Sequence, residues 1–176
     1  MSTTTPDIGK LSRSHLLHYL DSGFASSDTP AWYLIGRDLE DMAVELNPDT
    51  QTKKNILDET VTQDNGYEPS ISADTYYANT NDTIYPKLKD ISMNRLTGDA
   101  CKTKILEVLI DKKEGPYDAW MEDVIIKPQS YGGAARNVNI PYKISFDGNR
   151  VKGTVTIANK KPAFVPETEA AAQTTE

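Results

Sequence analysis

The side chains of this sequence that are best suited to metal chemistry are two nearby histidines. His15 and His18 are three positions apart, which would place both on one side of a helix, and paired histidines of this kind can begin a metal site. No nearby carboxylate or third ligand completes such a site in the sequence. We therefore expect a surface or packing role for both, and we predict no metal site.

Cys101 is the only cysteine and therefore the only thiol that could act as a nucleophile. A lone cysteine excludes an intrachain disulfide and a zinc ribbon, because each needs more than one cysteine. Lys102 and Lys104 lie beside it and would favour a thiolate, but no histidine stands in a recognisable catalytic arrangement with it. We predict an unreactive thiol.

Carboxylate pairs and one glycine-rich segment are the remaining features that could support catalysis or phosphate binding. Glu40 with Asp41, and Asp58 with Glu59, have the residue types of acid–base pairs, yet distance in space decides that chemistry. Residues 132–136 precede a strand and not a helix, so the phosphate-binding geometry of a glycine loop is missing. We predict solvated acidic surfaces, a connecting loop, no catalytic residue and no cofactor. The sequence indicates a protein that is not an enzyme.

Four aromatic residues suggest a weaker possibility, a carbohydrate-binding groove. Tyr76, Tyr77, Tyr117 and Trp120 could line such a groove, since aromatic rings combine a large apolar face with a polar edge. The alternative is that these side chains fill a small β core. We favour the core.

Composition limits the class of protein. With 176 residues, 38% of them hydrophobic, the chain has enough material for one domain with one core. Its formal charge of −7 argues against nonspecific binding to DNA or to acidic membranes, which needs clustered cations. The lone cysteine indicates a reducing compartment, and we find neither a signal peptide nor a run of ~20 apolar residues. We expect synthesis in the cytoplasm and no membrane partner.

The first half of the chain predicts short strands around one long polar segment. Residues 12–20 fit either a strand or a short helix, and residues 32–46 predict two linked strands. A turn is expected at residues 47–49, because proline fixes φ and the flanking side chains can bond their own backbone. Residues 49–66 then predict a protruding hairpin or loop, with the return turn at Asn65 and Gly66.

The second half predicts one helix followed by strands. A strand is expected over residues 69–78, and then a helix over residues 82–96 with Asp82 as its N-cap, Pro86 in its first turn and Gly98 at its end. Four strands should follow, at residues 103–110, 119–127, 138–146 and 150–157. The last two should form a hairpin whose turn is Asp147-Gly-Asn149.

The predicted fold class is mainly β, a β-sandwich or half-barrel with one flanking α-helix. We expect a flexible N-terminal arm at residues 1–10 and a single domain at residues 11–164, from which residues 47–66 protrude. Residues 165–176 should form a disordered acidic tail.

The whole pattern resembles the major tail tube proteins of long-tailed, non-contractile phages. The resemblance rests on four segments and covers roughly residues 11–164. The segments are Trp32-Tyr-Leu-Ile-Gly-Arg-Asp-Leu-Glu-Asp-Met42, Lys53-Lys-Asn-Ile-Leu-Asp58, the helix at residues 82–96, and Val138-Asn-Ile-Pro-Tyr-Lys-Ile-Ser-Phe146 followed by Gly-Thr-Val at residues 153–155.

This resemblance implies a structural virion protein that assembles into stacked hexameric rings, with inner sheets joined edge to edge into a β-barrel around a lumen. The long loop would then contact neighbouring subunits and rings, and the terminal arms would order on assembly. The implied contact residues are Asn47, Pro48, Asp49, Lys53, Lys54, Asn55, Asp58 and Glu59.

The resemblance also implies partners and location. The chain would bind copies of itself, the tape measure protein and other tail proteins, and phage DNA would pass through the lumen during ejection without specific binding. It would be made in the cytoplasm of the bacterial host and reside in the phage tail. Two alternatives stay open at this point: the tube subunit of a contractile tail or phage-tail-like bacteriocin, and a carbohydrate-binding β-sandwich module.

Overall fold

A computed structural model describes residues 8–24, 29–37 and 39–167 of the chain. These residues form short 3-10 helices at Arg13–His15 and Gly98–Cys101 and one α-helix, α1 (Tyr85–Asn94). The strands are β1 (Leu16–Asp21), β2 (Trp32–Leu34), β3 (Val44–Glu45), β4 (Pro48–Lys54), β5 (Thr60–Tyr67), β6 (Ser70–Ala73), β7 (Lys102–Leu109), β8 (Tyr117–Pro128), β9 (Tyr142–Ala158) and β10 (Lys161–Pro166).

The predicted fold class is confirmed: the described chain is mainly β with one helix. Along the main sheet the strands follow the order β2, β1, β7, β8, β9, β6, β3, with β10 paired to β9, while β4 and β5 pair only with each other. The pairings β1–β2, β1–β7, β3–β6, β6–β9, β9–β10 and β4–β5 are antiparallel. No described helix has the length and apolar content needed to cross a membrane.

The contacts divide the chain into two compact units. The first unit comprises the residues up to 37, residues 102–123 and the residues from 148 onward. The second comprises residues 38–101 and 124–147. Strands β8 and β9 contribute residues to both units. The predicted extent of a single domain, residues 11–164, stays a prediction.

The first unit is built around strands that carry branched and aromatic side chains. Its core consists of Tyr19, Leu106, Val108, Ala119 and Val155, and partly buried side chains that include Trp32 and Phe164 pack against it. Burial of a large apolar side chain contributes about 1.5–3 kcal/mol, so this cluster stabilises the pairing of strands that are far apart in sequence. The open prediction for residues 12–20 resolves into a 3-10 turn followed by strand β1.

The hairpin predicted around residues 147–149 is wrong. Residues 142–158 form one continuous strand, and the turn lies at Asn159 and Lys160, between β9 and β10. Gly148 and Asn149 do have positive φ, 93° and 56°, but they lie inside β9. The turn signal at residues 147–149 therefore gives only a local change of φ within β9, which pairs with β6 on one side of it and with β10 on the other.

The second unit contains α1 and the strands that pack near it. The helix buries Leu88 and Ile91, and Tyr76 meets Tyr142 edge to face with ring centroids 6.1 Å apart. Strand β6 pairs with β9 from Ser70 opposite Ser145 to Ala73 opposite Tyr142. The strand predicted at residues 69–78 is thus present but shorter.

The helix begins differently from the prediction. Ile84, not Asp82, is the N-cap of α1, and it makes no side-chain cap hydrogen bond. Asp82 is buried, and its carboxylate accepts a hydrogen bond from the Tyr76 hydroxyl at 3.3 Å. Arg95, in the left-handed region, ends the helix, and Gly98 starts the following 3-10 turn. The Asp82 side chain, which the local pattern assigns to helix capping, is therefore engaged by the hydrogen bond from Tyr76 instead.

Both turns predicted in the long polar segment are also displaced. Pro48 is the first residue of β4, paired with Tyr67, so the chain does not turn there. Asn65 and Gly66 lie within β5, and the hairpin reverses at residues 55–59 instead.

At the ends of the chain, β10 continues two residues past the predicted boundary at 164. The rest of the predicted tail, residues 168–176, and residues 1–7 of the predicted N-terminal arm lie outside the described residues.

Candidate assembly surfaces

The β4–β5 hairpin has no packed face. Every residue of β4 and every residue of β5 except Gly66 is exposed. A two-stranded hairpin alone is marginally stable in water, because it buries too little apolar surface to offset its ordering entropy. Its conformation must therefore depend on local hydrogen bonds or on a partner.

Asn55 organises the turn of this hairpin. Its side-chain Oδ1 accepts hydrogen bonds from the backbone N–H of Leu57 at 2.9 Å and of Glu59 at 3.0 Å. Its Nδ2 donates to Oε2 of Glu59 at 2.7 Å. Asp58 takes a φ of 62° in the turn, a conformation that aspartate tolerates better than most residues. The Asn55 side chain thus supplies the hydrogen-bond acceptor for two backbone N–H groups of the hairpin turn.

The stem and base of the hairpin are held by polar side chains as well. The hydroxyls of Thr52 and Thr62 lie 3.3 Å apart across the strands, and Asn65 donates to the Asp49 carboxylate at 3.0 Å. At the base, Asn47 donates to the carbonyl of Glu68 at 3.0 Å. Each exposed bond of this kind contributes little on its own, so the hairpin is ordered but weakly stabilised.

The tip combines apolar side chains with charges. Ile56 is 102% exposed and Leu57 71%, which is unusual for consecutive branched aliphatic residues. Asp58 lies 3.8 Å from Lys54, but both side chains are well exposed, so this pair contributes little. The Glu59 carboxylate is bonded to the neutral Asn55 amide, and within the described ranges it has no cationic partner.

All eight predicted contact residues lie in or beside this one hairpin. Asn47, Pro48 and Asp49 are at its base, and the other five lie at or next to its tip. Within the hairpin, Lys54 lies near Asp58; contacts of these residues with other subunits stay a prediction. The predicted set omits Ile56 and Leu57. Two adjacent branched apolar residues inside a long polar segment were the signal that could have identified them.

A cavity of about 280 Å³ lies at the C-terminal end of α1. Its apolar lining includes Ile91, Leu96, Pro128 and the ring of Tyr131. Two cations, Arg95 and Lys127, also line it; the Lys127 ammonium donates to the Leu96 carbonyl at 3.2 Å. The Arg95 side chain is exposed and makes no hydrogen bond or ion pair in the part of the chain that the structure describes.

A second polar cluster lies in the first unit, around Arg150. Its Nη1 donates to Oε2 of Glu122 and its Nη2 to Oε2 of Glu107, both at 2.7 Å, and the guanidinium stands 5.8 Å from the centroid of the Trp120 ring. His18 completes the cluster, with Nε2 3.3 Å from Oε1 of Glu107. Both carboxylates are buried, whereas the Arg150 side chain is 45% exposed.

The electrostatics of this cluster indicate a structural role. Burial raises the pKa of Glu107, but the contacts that His18 and Arg150 make with its carboxylate, together with the positive charge of the Arg150 guanidinium, outweigh that effect and leave the pKa below its ordinary value. Burial likewise works against the charge of Arg150, yet its two carboxylate partners raise its pKa. One guanidinium binds both carboxylates, so neither is free to act as a general acid or base.

The histidine prediction is corrected in one respect. His18 does have a nearby carboxylate, Glu107, which faces it across the β1–β7 pairing. The predicted packing role fits its 1% exposure. His15 lies apart from this contact, and its Nδ1 accepts a hydrogen bond from the Ser12 N–H at 2.9 Å. No group of three or more potential metal ligands occurs among the described residues.

The remaining candidates for chemistry lack a site. Cys101 is fully buried and its thiol donates to the Leu96 carbonyl at 3.3 Å. Tyr76 is buried in the second unit, whereas Tyr117 and Trp120 belong to the first unit, where Trp120 faces Arg150. The four aromatic residues therefore do not form a groove within either unit.

Comparison with solved structures gives information about the fold. No protein-family model and no curated protein matches the chain. Among solved structures, the chain is similar to the SPP1 tail tube, a structure obtained by solid-state NMR and cryo-electron microscopy. The TM-score is 0.58 at 14% sequence identity, over 81% of this chain and 78% of that chain. At this identity the similarity concerns the fold, which is that of a phage tail tube protein.

Proposed function

We propose that this chain is a tail tube subunit that assembles into hexameric rings, and that the stacked rings form the conduit for phage DNA. The observation that carries the proposal is an exposed hairpin with an apolar tip on a chain whose fold matches a tail tube over 81% of its length. An assembling subunit needs such a surface. The tube would lie in the virion, with the tape measure protein and other tail proteins as further partners.

The exposure of the hairpin supports assembly on physical grounds. Ile56 and Leu57 would each gain about 1.5–3 kcal/mol by leaving water completely, and nothing in the described chain covers them. Local bonds fix the turn at Asn55 before any partner arrives. A pre-ordered tip loses less entropy on binding, so it suits a contact that is repeated many times along a tube.

The charge of the chain agrees with passage of DNA. The net charge is −7, and an acidic conduit would repel the phosphate backbone instead of binding it by counterion release. The same balance would be expected for the tube of a contractile tail or of a phage-tail-like bacteriocin. A neighbouring gene for a sheath protein would identify that variant.

The structure offers little in favour of a carbohydrate-binding module or an enzyme. Trp120, the best candidate for stacking on a sugar, is already engaged by Arg150. Loss of glycan binding in a Trp120→Ala variant would be the observation that revives the first alternative. The paired carboxylates Glu107 and Glu122 share one guanidinium, so this buried pair does not offer the enzyme alternative a free general acid or base.

The test is assembly of the purified chain with and without its hairpin. Deletion of residues 49–64 joins Pro48 to Asn65-Gly66, and because Pro48 pairs with Tyr67 the remaining Asn-Gly would form a two-residue turn. Negative-stain electron microscopy over a concentration series should show rings or hollow tubes for the full chain. The deletion variant should still give the circular dichroism spectrum of a folded β protein, reduced by the loss of β4 and β5, and should form no tubes.

Two results would contradict the proposal. A full chain that stays monomeric at every concentration, even when mixed with other tail proteins that could initiate a tube, would remove the tube assignment. Normal tubes from the deletion variant would remove the hairpin from the assembly contact. A variant with Val151→Ser, an exposed apolar residue outside the hairpin, serves as the control and should assemble like the unmodified chain.

A further inference from the structure

We propose that the tip of the β4–β5 hairpin inserts into the cavity at the C-terminal end of α1 in a second copy of this chain. The inference rests on the proposed function and adds the receiving site, which residues 47–66 do not contain. The occupant is residues 56–59 of another copy, with Ile56 and Leu57 entering the cavity and Glu59 facing Arg95. The contact is heterologous, because tip and cavity are different surfaces, so it can repeat without limit along one direction.

The apolar parts of the two surfaces match in size. An engineered cavity of about 150 Å³ holds a benzene molecule, so a cavity of about 280 Å³ has room for two branched aliphatic side chains. It is slightly smaller than the usual ~300–1,000 Å³ of a small-molecule site. Its lining combines apolar side chains with polar ones, so it can contact both the aliphatic side chains and the carboxylate of the tip; the residues are Ile91, Ser92, Arg95, Leu96, Lys127, Pro128, Gln129, Ser130 and Tyr131.

The charges of the two surfaces match in sign. Glu59 stands beside the apolar tip and has no cationic partner among the described residues, and Arg95 stands at the cavity and has no anionic one. Lys127 adds a second positive charge to the cavity. Opposite charges next to an apolar contact fix its orientation and speed encounter. Lys54 lies near Asp58 within the hairpin and so is partly neutralised before docking.

The hairpin and cavity are also matched in rigidity. Asn55 holds the turn through three hydrogen bonds, two to backbone N–H groups and one to the Glu59 carboxylate. The cavity lies between the end of a helix and the end of β8, and the bond from Lys127 to the Leu96 carbonyl links these two elements. The turn and the cavity are thus partly ordered before contact, so the contact loses less entropy than one made by an unordered loop.

The direct test is a disulfide between two copies. A chain carrying both Leu57→Cys and Ser130→Cys should give a ladder of covalent multimers under mild oxidation, because Ser130 lines the cavity. Each single variant should give no ladder. Cys101 is buried and should not react. A third chain, with Leu57→Cys and Ser14→Cys, places the second thiol on an exposed serine of the first unit and should also give no ladder.

A complementation experiment tests the same contact without cross-linking. The tip variant Ile56→Ser with Leu57→Ser, and the filled-cavity variant Ser130→Trp, should each raise the concentration needed for tubes at least tenfold. Mixed in equal amounts, the two should form paired assemblies of twice the mass of either alone, since one intact tip meets one intact cavity. Val61→Ser, which removes an exposed apolar side chain from the hairpin stem, is the matched control and should assemble normally.

Charge exchange gives a third measurement. Glu59→Arg and Arg95→Glu should each weaken assembly, and a chain carrying both should recover most of it. A simple loss of folding would not be repaired by the second change.

The outcomes separate this inference from the proposed function. Tubes that form without a ladder, or a tip variant that assembles like the unmodified chain, would overturn the inference and leave the tube function standing. A ladder from a chain that never forms rings or tubes would support the contact and overturn the tube function. Absence of both would overturn both.

Discussion

The two hairpins of this chain show opposite ways of keeping a pair of strands ordered. In the β9–β10 hairpin, Val155 is fully buried and Phe164 packs against the core of the first unit, while alternate residues face outward. In the β4–β5 hairpin no side chain faces a core, and the turn depends on Asn55. One hairpin is part of a folded unit, and the other is a polar ribbon with an apolar tip.

This difference indicates where stability and function are located. Burial gives β9 and β10 a share of the global stability, so changes there should lower the melting temperature. Changes in β4 and β5 should leave the melting temperature almost unchanged and act on assembly. An ordered hairpin that buries no side chains in its own chain is expected only where a partner covers its exposed apolar residues.

The largest effect in this comparison is expected from Gly153→Ala in β9. A Cβ there would collide with the Val165 carbonyl and stand 2.6 Å from the Phe164 ring. Overpacking of this kind costs about 2–3 kcal/mol, or about 5–10 °C in melting temperature for a chain of this size. Thermal unfolding followed by circular dichroism measures it.

Gly66→Ala in β5 is the matched variant. Nothing lies within 4 Å of the added Cβ, but its φ of +95° makes the residue locally strained. The melting temperature should fall by less than about 2 °C, because the strain is confined to a hairpin that contributes little to global stability. Equal losses for the two glycines would contradict the contrast between the hairpins.

A smaller effect, with a pH signature, is expected from Glu107→Gln. The folded-state pKa of Glu107 lies below its ordinary value of 4.5, so its stabilising contribution is complete above that pH and is lost as the pH falls through the folded-state pKa. The substitution should cost about 1–2 kcal/mol at neutral pH, since it removes a charged partner of Arg150. The cost should shrink as the solution is acidified below 4.5.

Melting temperatures of both chains across this pH range provide the measurement. Asp58→Asn is the control from the hairpin, where the carboxylate is 94% exposed, and it should change stability by less than about 0.5 kcal/mol at any pH. A pH-independent cost for Glu107→Gln would mean that packing, and not the charge of Glu107, accounts for its effect.

The smallest global effect is expected from Asn55→Ala. The variant loses the bonds to the N–H groups of Leu57 and Glu59, so these amides should exchange with solvent faster while the melting temperature moves by less than about 2 °C. Hydrogen exchange measured by NMR separates the two readouts. Asn94→Ala, which removes an exposed bond to Asp90 on α1, should leave exchange in the hairpin unchanged.

Elements with a strong intrinsic pattern could be predicted from the sequence. Strands β7 and β8 lie within two residues of the predicted ranges, 103–110 and 119–127, because their runs are rich in β-branched residues. The long polar segment was recognised as a hairpin or loop, since it lacks residues for a core. Hydrophobic pattern and composition suffice for such predictions.

Features that depend on tertiary partners could not be predicted. The Asp82 carboxylate accepts a hydrogen bond from the Tyr76 hydroxyl and does not cap the helix. His18 and Glu107 meet only because of the register between β1 and β7, and register follows from the assembled sheet. In the β9–β10 turn, Lys160 has a φ of 63°. Lysine is not a residue type that signals a turn in sequence.

The two units also differ in how the chain supplies them, and this bears on the order of folding during synthesis. The second unit is complete once residue 147 has been made, whereas the first unit combines three separate segments, the last beginning at residue 148. Val155 of its core lies in that last segment. A ribosome that has made residues 1–147, about five sixths of the chain, has therefore supplied every residue of the second unit, while β1 and β7 still wait for the strand that completes their core.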